Sequence, residues 1–204
     1  GRTMYQRDSI SIGFVCKQKL SDTGEEKLLT LCAHDSTTLD SITKTIIEET
    51  QGIRKNKNFK KDLNAVVAKI AKLPRLTLMA FVRILRWLDF WKLVPRSLKS
   101  GDPNFCSVLI SNLGSIKGSC AYHHLNNYGT NSILVTIGYA TKKEILMEDG
   151  TKKIRNIVDI GVTLDERISD GFYFVKSLKL FQYLCDNPGI LELPLNEPSN
   201  FEYK

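Results

Sequence analysis

Asp165-Glu166-Arg167-Ile168-Ser169-Asp170-Gly171 is the stretch on which the reading of this chain turns. Before it runs Ile157–Leu164 (IVDIGVTL), β-branched and of strand type. After it, over Ser169–Asp186, Phe174, Leu178, Phe181 and Leu184 recur at the spacing of a helix that turns one side to a core. Four ionised side chains therefore crowd a strand-to-helix connection, where groups are displayed rather than packed. A second short stretch, Ile110-Ser111-Asn112-Leu113-Gly114, closes another strand-type run, Phe105–Ser111 (FCSVLIS).

Working outward, Ser132–Ala140 (SILVTIGYA) is a further strand between these two stretches, and Glu148-Asp149-Gly150 reads as a turn. At the front, Ser9–Lys19 and Lys27–His34 are strands joined at Asp22-Thr23-Gly24, a β-hairpin. Residues 37–51 form an amphipathic helix, with Ser36, Thr37 and Thr38 as candidate caps and Leu39, Ile42 and Ile46 on one side. The tail, residues 188–204, is rich in proline and polar residues and reads as an extended surface segment. The whole is one domain of 204 residues, with 42% hydrophobic residues to form its core.

Between residues 53 and 99 the composition changes. Thirteen basic residues stand against two acids, Asp62 and Asp89, so this segment carries +11; the other 16 basic and 20 acidic residues make the rest −4. Arg54, Lys55, Lys57, Lys60 and Lys61 form its densest cluster. Such asymmetry fits a face that meets an anion, whether a phosphate-bearing ligand, an acidic lipid surface or nucleic acid; a solvated basic face is the plain alternative. Nucleic acid is disfavoured, because Phe59 is the only aromatic among these cations. A short helix is expected over Leu63–Leu73 and a far more apolar one over Leu76–Val94, bounded by Pro74 and Pro95. Its charges, Arg83, Arg86, Asp89 and Lys92, wind around it, so it should be buried in protein, cover a neighbouring subunit or lie in a membrane interface with Trp87 and Trp91 at headgroup depth.

Several classes are excluded or disfavoured. The 25% of charged residues beside ordinary apolar content is no signature of disorder, and no charge-free apolar run reaches spanning length. Five cysteines are scattered singly with no C-x-x-C pair, which fits reduced thiols and a cytoplasmic setting, with membrane association as the alternative. His34 stands apart from the adjacent His123 and His124, so no metal site is expected.

The two motifs together, in this order, resemble the catalytic domain of the 2-oxoacid dehydrogenase acyltransferases, relatives of chloramphenicol acetyltransferase. That family's D-H-R-x-x-D-G is matched by Asp165, Arg167, Asp170 and Gly171, and its I-S-N-L-G by Ile110 through Gly114, including Ser111, Asn112 and Gly114. The resemblance implies a two-layer α/β fold of the α+β kind, a mixed sheet with helices on one side, with residues 53–99 as a basic helical insertion. It implies a homotrimer with active sites between subunits. There a histidine deprotonates the thiol of coenzyme A or a dihydrolipoyl group, and a serine, here Ser111, stabilises the tetrahedral oxyanion across the interface. Acyl-CoA is the expected substrate, with no covalently bound cofactor. Asp170 is expected to form an ion pair that shapes the loop.

Two departures stand beside the match. Glu166 occupies the histidine's place, and a carboxylate of ordinary pKa near ~4.3 is a weak base toward a thiol near ~8.5, although burial raises it. Glu166 is then a retuned base, or His123 or His124 takes the role, or catalysis is lost and a non-enzymatic trimeric scaffold or binding protein remains. Ser111 equally reads as a cap for the following turn, and Cys106 and Cys120, near the presumed site, as packed thiols. The family's domain also opens with a helix and strands ahead of the hairpin. Here that N-terminal portion is expected to be absent because the chain is a fragment or to be supplied by another polypeptide, leaving a groove or an unpaired sheet edge.

Overall fold

The computed structural model describes residues 6–19, 21, 26–55, 72–91, 93–94, 102–147, 149–194, 196 and 201–202. The hairpin turn at Asp22-Thr23-Gly24, the cations Lys57, Lys60 and Lys61, and almost all of the expected helix at residues 63–73 lie outside them. The protein is an α+β fold around a five-stranded mixed sheet. Strands β1 (Ile10–Lys17) and β2 (Glu26–Ala33) form the expected antiparallel hairpin. β3 (Val108–Asn112) and β4 (Ile133–Ile137) follow, then β5 (Thr141–Leu146) and β6 (Lys152–Ile157), and finally β7 (Ile160–Leu164). The spatial order is β2-β1-β3-β4-β7, and β5 and β6 form a separate two-stranded sheet. Among the described residues β2 and β7 are the edge strands.

Helix α1 (Leu39–Arg54) starts where the sequence offers a cap: Thr38 accepts from the backbone N–H of Ser41, and Ser41 in turn accepts from that of Thr38. It packs on β1 and β2 and buries Ile53, which is 1% exposed. Helix α2 (Arg75–Phe90) follows Pro74, and α3 (Gly171–Asp186) follows β7.

Four expectations are corrected. The run read as one strand over Ile157–Leu164 is broken at Val158-Asp159, and its first residue closes β6, whose partner β5 is equally exposed. The run from Phe105 pairs only from Val108, because residues 103–105 form a 3-10 turn. The tail begins with a 3-10 turn at Pro188–Glu192 and not with extended chain. Burial of the greasy helix within its own chain fails altogether, since none of the residues of α2 is buried. In α3 likewise only Phe174 is buried, while Leu178 and Phe181 remain about half exposed.

The centre of the sheet is held from one side by the connection after β3. Because β3 and β4 run parallel, the chain must cross back over the sheet between them. It does so through a 3-10 turn, Leu113–Ile116, and then an irregular run laid on β4 and β7. Leu134 and Thr136, two apart and so on one face of β4, are 4% and 2% exposed beneath it. Thr136 donates its hydroxyl proton to the carbonyl of Ala121, and the Cys120 Sγ lies 3.3 Å from Thr136 Oγ1. Gly138 and Gly161 make room for this contact. A Cβ on Gly138 would stand 2.7 Å from the backbone nitrogen of Cys120, and one on Gly161 would stand 2.8 Å from the Cys120 sulfur.

Gly138→Ala should therefore cost about 1–3 kcal/mol through overpacking against backbone that cannot step aside. Gly189→Ala, where a Cβ meets nothing within 4 Å, should change stability little. Urea midpoints of the two variants check this, and equal midpoints would show that the crossover does not press on β4.

Candidate functional site

The charged connection after β7 is a tight turn built from its own side chains. Leu164 pairs with Ile133, and the Asp165 N–H donates to the Ser132 carbonyl at 3.0 Å, so the sheet ladder runs into the motif. The Asp165 carboxylate accepts from the backbone N–H of Arg167 at 3.1 Å, from its Nε at 2.8 and 3.0 Å, and from its Nη2 at 2.6 Å. This fork-on-carboxylate geometry is the strong form of the ion pair. It holds the Asp165 carboxyl below its ordinary pKa, chiefly through the hydrogen bonds from Arg167. The Ile168 N–H closes the turn on the Asp165 carbonyl at 3.1 Å.

Asp170 has a different task from the expected one. Within this chain it makes no ion pair with a described residue; its Oδ1 accepts from the Tyr173 N–H at 2.9 Å and caps α3. Gly171 is the first residue of α3. Between the Asp165–Arg167 clasp and the Asp170 cap, Glu166 stands exposed on the turn, its carboxylate held by no described residue.

The second motif ends β3. Ser111 is half-buried and in register with Thr136, which is itself in register with Gly161, so the three form one row across β3, β4 and β7. Ser111 does not cap the next turn. Asn112 does, accepting from the Ser115 N–H at 3.2 Å through Oδ1. Gly114 is required by the approach of Gly138, whose carbonyl oxygen would lie 2.7 Å from a Cβ there.

His123 and His124 lie on the crossover, between its anchor at Cys120 and the bond from Asn126 Nδ2 to Asn104 Oδ1 at 2.6 Å. Both are exposed, with rings stacked at 4.8 Å and 13°. The His123 Nδ1 lies 2.7 Å from the His124 carbonyl oxygen, a contact that calls for the Nδ1–H form and leaves Nε2 to accept a proton. No hydrogen bond joins either histidine to Glu166 within the chain. Cys106 is buried, its Sγ donating to the Val108 carbonyl at 3.1 Å, and burial pushes its thiol up in pKa, the reverse of an activated nucleophile. Of the basic cluster, Arg54 is the last residue of α1 and Lys55 its cap, both exposed. Among the described residues no three His, Cys, Asp or Glu side chains gather as a metal site.

The sheet holds the two motifs apart. β7 runs antiparallel to β4, so Gly161 lies level with Ser111 while Glu166 follows the opposite end of β7. Four residues separate Gly161 from Asp165, about 13 Å at strand rise. Two open hollows lie elsewhere, one at Thr38, Leu39, Thr43 and Glu192 and one at Arg7, Ile10, His34 and Ser107; neither is lined by Ser111 or Glu166. Thr136, the buried hydroxyl under the crossover, was missed from the sequence. Its one signal was a lone polar residue within the apolar run Ile133–Ile137.

No protein-family profile matches the chain, and no curated protein matches it by sequence. Solved structures do. A probable dihydrolipoamide acetyltransferase from Listeria monocytogenes 4b F2365 superposes with a TM-score of 0.57 at 14% identity, covering 100% of this chain and 64% of that one. The dihydrolipoamide acetyltransferase of Azotobacter vinelandii, solved to examine a serine, a histidine and an asparagine in its catalytic mechanism, gives 0.57 and 14% over 95% of this chain and 60% of that. The cubic core of the pyruvate dehydrogenase multienzyme complex gives 0.58 and 14%, with 95% and 60% covered. This chain has the dihydrolipoamide acetyltransferase fold. It spans about three fifths of the length of those chains. Within that acetyltransferase fold the two motifs of this sequence sit at two ends of the sheet, and the motif with the ion pair carries Glu166.

Because the Asp165 carboxyl is depressed in the folded chain, its pairing contributes stability above the unfolded carboxylate pKa near ~3.9, and that contribution is lost as pH falls through the lower folded value. Arg167→Ala should accordingly be less stable than the parent at neutral pH, with the gap closing below about pH 4. Denaturant midpoints across pH check the sign; a gap that widens in acid would exclude the pairing.

Proposed function

We propose that this chain is the acyl-transferring module of an oligomer, taking an acyl group from a thioester such as acyl-CoA at a site made by two subunits. The observation that carries this reading is the separation of Ser111 from Glu166 across the sheet. One chain cannot bring an oxyanion donor at the end of β3 and a base after β7 onto one carbonyl, whereas two chains set end against end can. A closed ring of three copies would make three equivalent sites. The fold likeness supports the reading, and so does the spacing in the Azotobacter enzyme, whose histidine precedes its asparagine by four residues, as Glu166 precedes Asp170 here. The roles then follow. The Ser111 hydroxyl donates to the developing oxyanion, Glu166 accepts the thiol proton, and the Asp165–Arg167 clasp with the Asp170 cap holds the turn.

Glu166 is the weak point of the chemistry and favours a second reading. Within the single chain Glu166 is exposed on its turn and no described residue covers it, so a partner surface or the bound thioester has to enclose it. Where the partner does not, the same arrangement binds a thioester without turning it over, and the chain works as a binding scaffold.

The test is thiol release from a panel of acyl-CoA species. Ser111→Ala should lower the rate by about 10²–10³, and Glu166→Ala by about 10²–10⁴. Mixing the two inactive variants should restore roughly a quarter of the parental rate, because random assembly of a closed ring pairs an intact Ser111 with an intact Glu166 at about one interface in four. Full activity in Glu166→Ala, lost on replacing His123 and His124, would move the base to the crossover. Absence of release from an assembled protein that still binds acyl-CoA would establish the scaffold instead. No recovery on mixing two inactive variants that do assemble would overturn the shared site.

A further inference from the structure

Helix α2 has two apolar faces and only one of them meets the protein. Leu78, Phe81, Leu85 and Leu88, at spacings of three and four, are half-buried and mark the inner face. On the opposite side Leu76, Met79, Ile84, Trp87, Phe90 and Trp91 are all more than half exposed, with Leu76 at 80% and Phe90 at 74%. The aromatic end is continuous, with the Trp87 and Trp91 rings 6.5 Å apart and the Phe90 and Trp91 rings 5.5 Å apart. An exposed stripe of this size on a soluble surface marks a contact.

The charges on the helix say what it contacts. Arg83 lies within the outer stripe and Arg75 and Arg86 flank it, all exposed, while the helix's one acid, Asp89, is on the half-buried side. The outer face is thus apolar with a purely cationic edge. A second copy of this chain is a poor occupant. Arg83 lies at the middle of the helix, so two copies meeting helix on helix about a two-fold axis through its centre would press Arg83 against Arg83, and helices packed along a three-fold axis would align the same cations. An anionic bilayer surface satisfies both features, accepting the Trp and Phe rings at headgroup depth and the guanidinium groups at lipid phosphates. The helix, about 24 Å long, would lie flat. No helix among the described residues is long and apolar enough to cross a membrane.

We propose that the outer face of α2 docks the protein on anionic lipid, through Trp87, Phe90 and Trp91 inserted among the headgroups and Arg75, Arg83 and Arg86 at their phosphates. This docking is independent of the acyl-transfer reading. Trp87 and Trp91 are the only tryptophans in the chain, so intrinsic fluorescence reports this face directly. Vesicles of phosphatidylcholine with about 30% phosphatidylserine should shift the emission to the blue, and binding should exceed that to pure phosphatidylcholine by at least about tenfold, each arginine at the surface being worth roughly fivefold. Arg83→Glu with Arg86→Glu should remove that preference. Leu76→Ser with Phe90→Ser should weaken binding to both vesicle types while leaving the far-ultraviolet circular dichroism unchanged, since both side chains are exposed. Emission that ignores vesicles overturns the proposal, as does equal binding to neutral and anionic vesicles. A blue shift that grows with protein concentration in the absence of lipid overturns it in favour of a second copy on this face.

Discussion

The antiparallel pairing of β7 on β4 is the constraint from which the rest of the molecule's chemistry follows. β1, β3 and β4 run the same way, so a connection after any of them emerges at one end of the sheet, where Ser111 and Asn112 lie. β7 alone on that side of the sheet turns back, and its following turn emerges at the other end. The pairing is fixed by its interior. Side chains alternate across a strand, so a slip by one residue would put Thr136 and Gly161 on the wrong face and thrust a side chain into the crossover at Cys120. The close passage of residues 118–121 over Gly138 and Gly161 thus specifies the register, and the register specifies where Glu166 stands.

The turn that carries Glu166 is stiffened entirely by its neighbours. Asp165 is clasped by Arg167 and Asp170 is spent on the first turn of α3, so two of the three carboxylates in Asp165–Asp170 are engaged in structure. The remaining one is held out from the chain on a preformed turn. That division has an electrostatic consequence. Asp165 is kept ionised next to Glu166 but is neutralised by the arginine fork, so the local field on Glu166 is weaker than three carboxylates in six residues suggest.

The strands of the central sheet, α1, its Thr38 cap and the position of both motifs were legible in the sequence, because each is marked by a local pattern: alternation, helical spacing, a capping hydroxyl, or a strand end crowded with polar groups. The parts that were not legible lacked such a mark. β5 and β6 read Thr141–Leu146 (TKKEIL) and Lys152–Ile157 (KKIRNI), half charged and almost wholly exposed, so no buried face imposes alternation on them. Asp170 was misassigned because a carboxylate three residues before a backbone N–H serves as a cap as readily as an ion-pair partner, and spacing alone does not separate the two. Ser111 was ambiguous for the same reason, until Asn112 took the cap. For α2 the pattern was read as apolar around much of its circumference but left three settings open, since a two-faced helix has the same sequence whether the second face meets its own chain, a neighbouring subunit or a membrane; the structure removes only the first, none of its residues being buried.

The distribution of apolar surface links these observations. Among the described residues the buried apolar side chains are Cys16, Ala33, Ile53, Cys106, Leu134 and Phe174, half of them small, while thirty large apolar residues stay more than a third exposed. Some of the exposed groups gather along the outer stripe of α2 and along α3, where Phe172, Tyr173, Val175, Leu178 and Phe181 share the helix that Asp170 starts. The α3 set adjoins the turn of Glu166, since Asp170, four residues on, caps the helix that carries it. The α2 set lies on a separate helix with a cationic edge. The two apolar surfaces lie on separate helices, so one can be covered without the other, and a contact that buried α2 would need counter-ions for Arg75, Arg83 and Arg86.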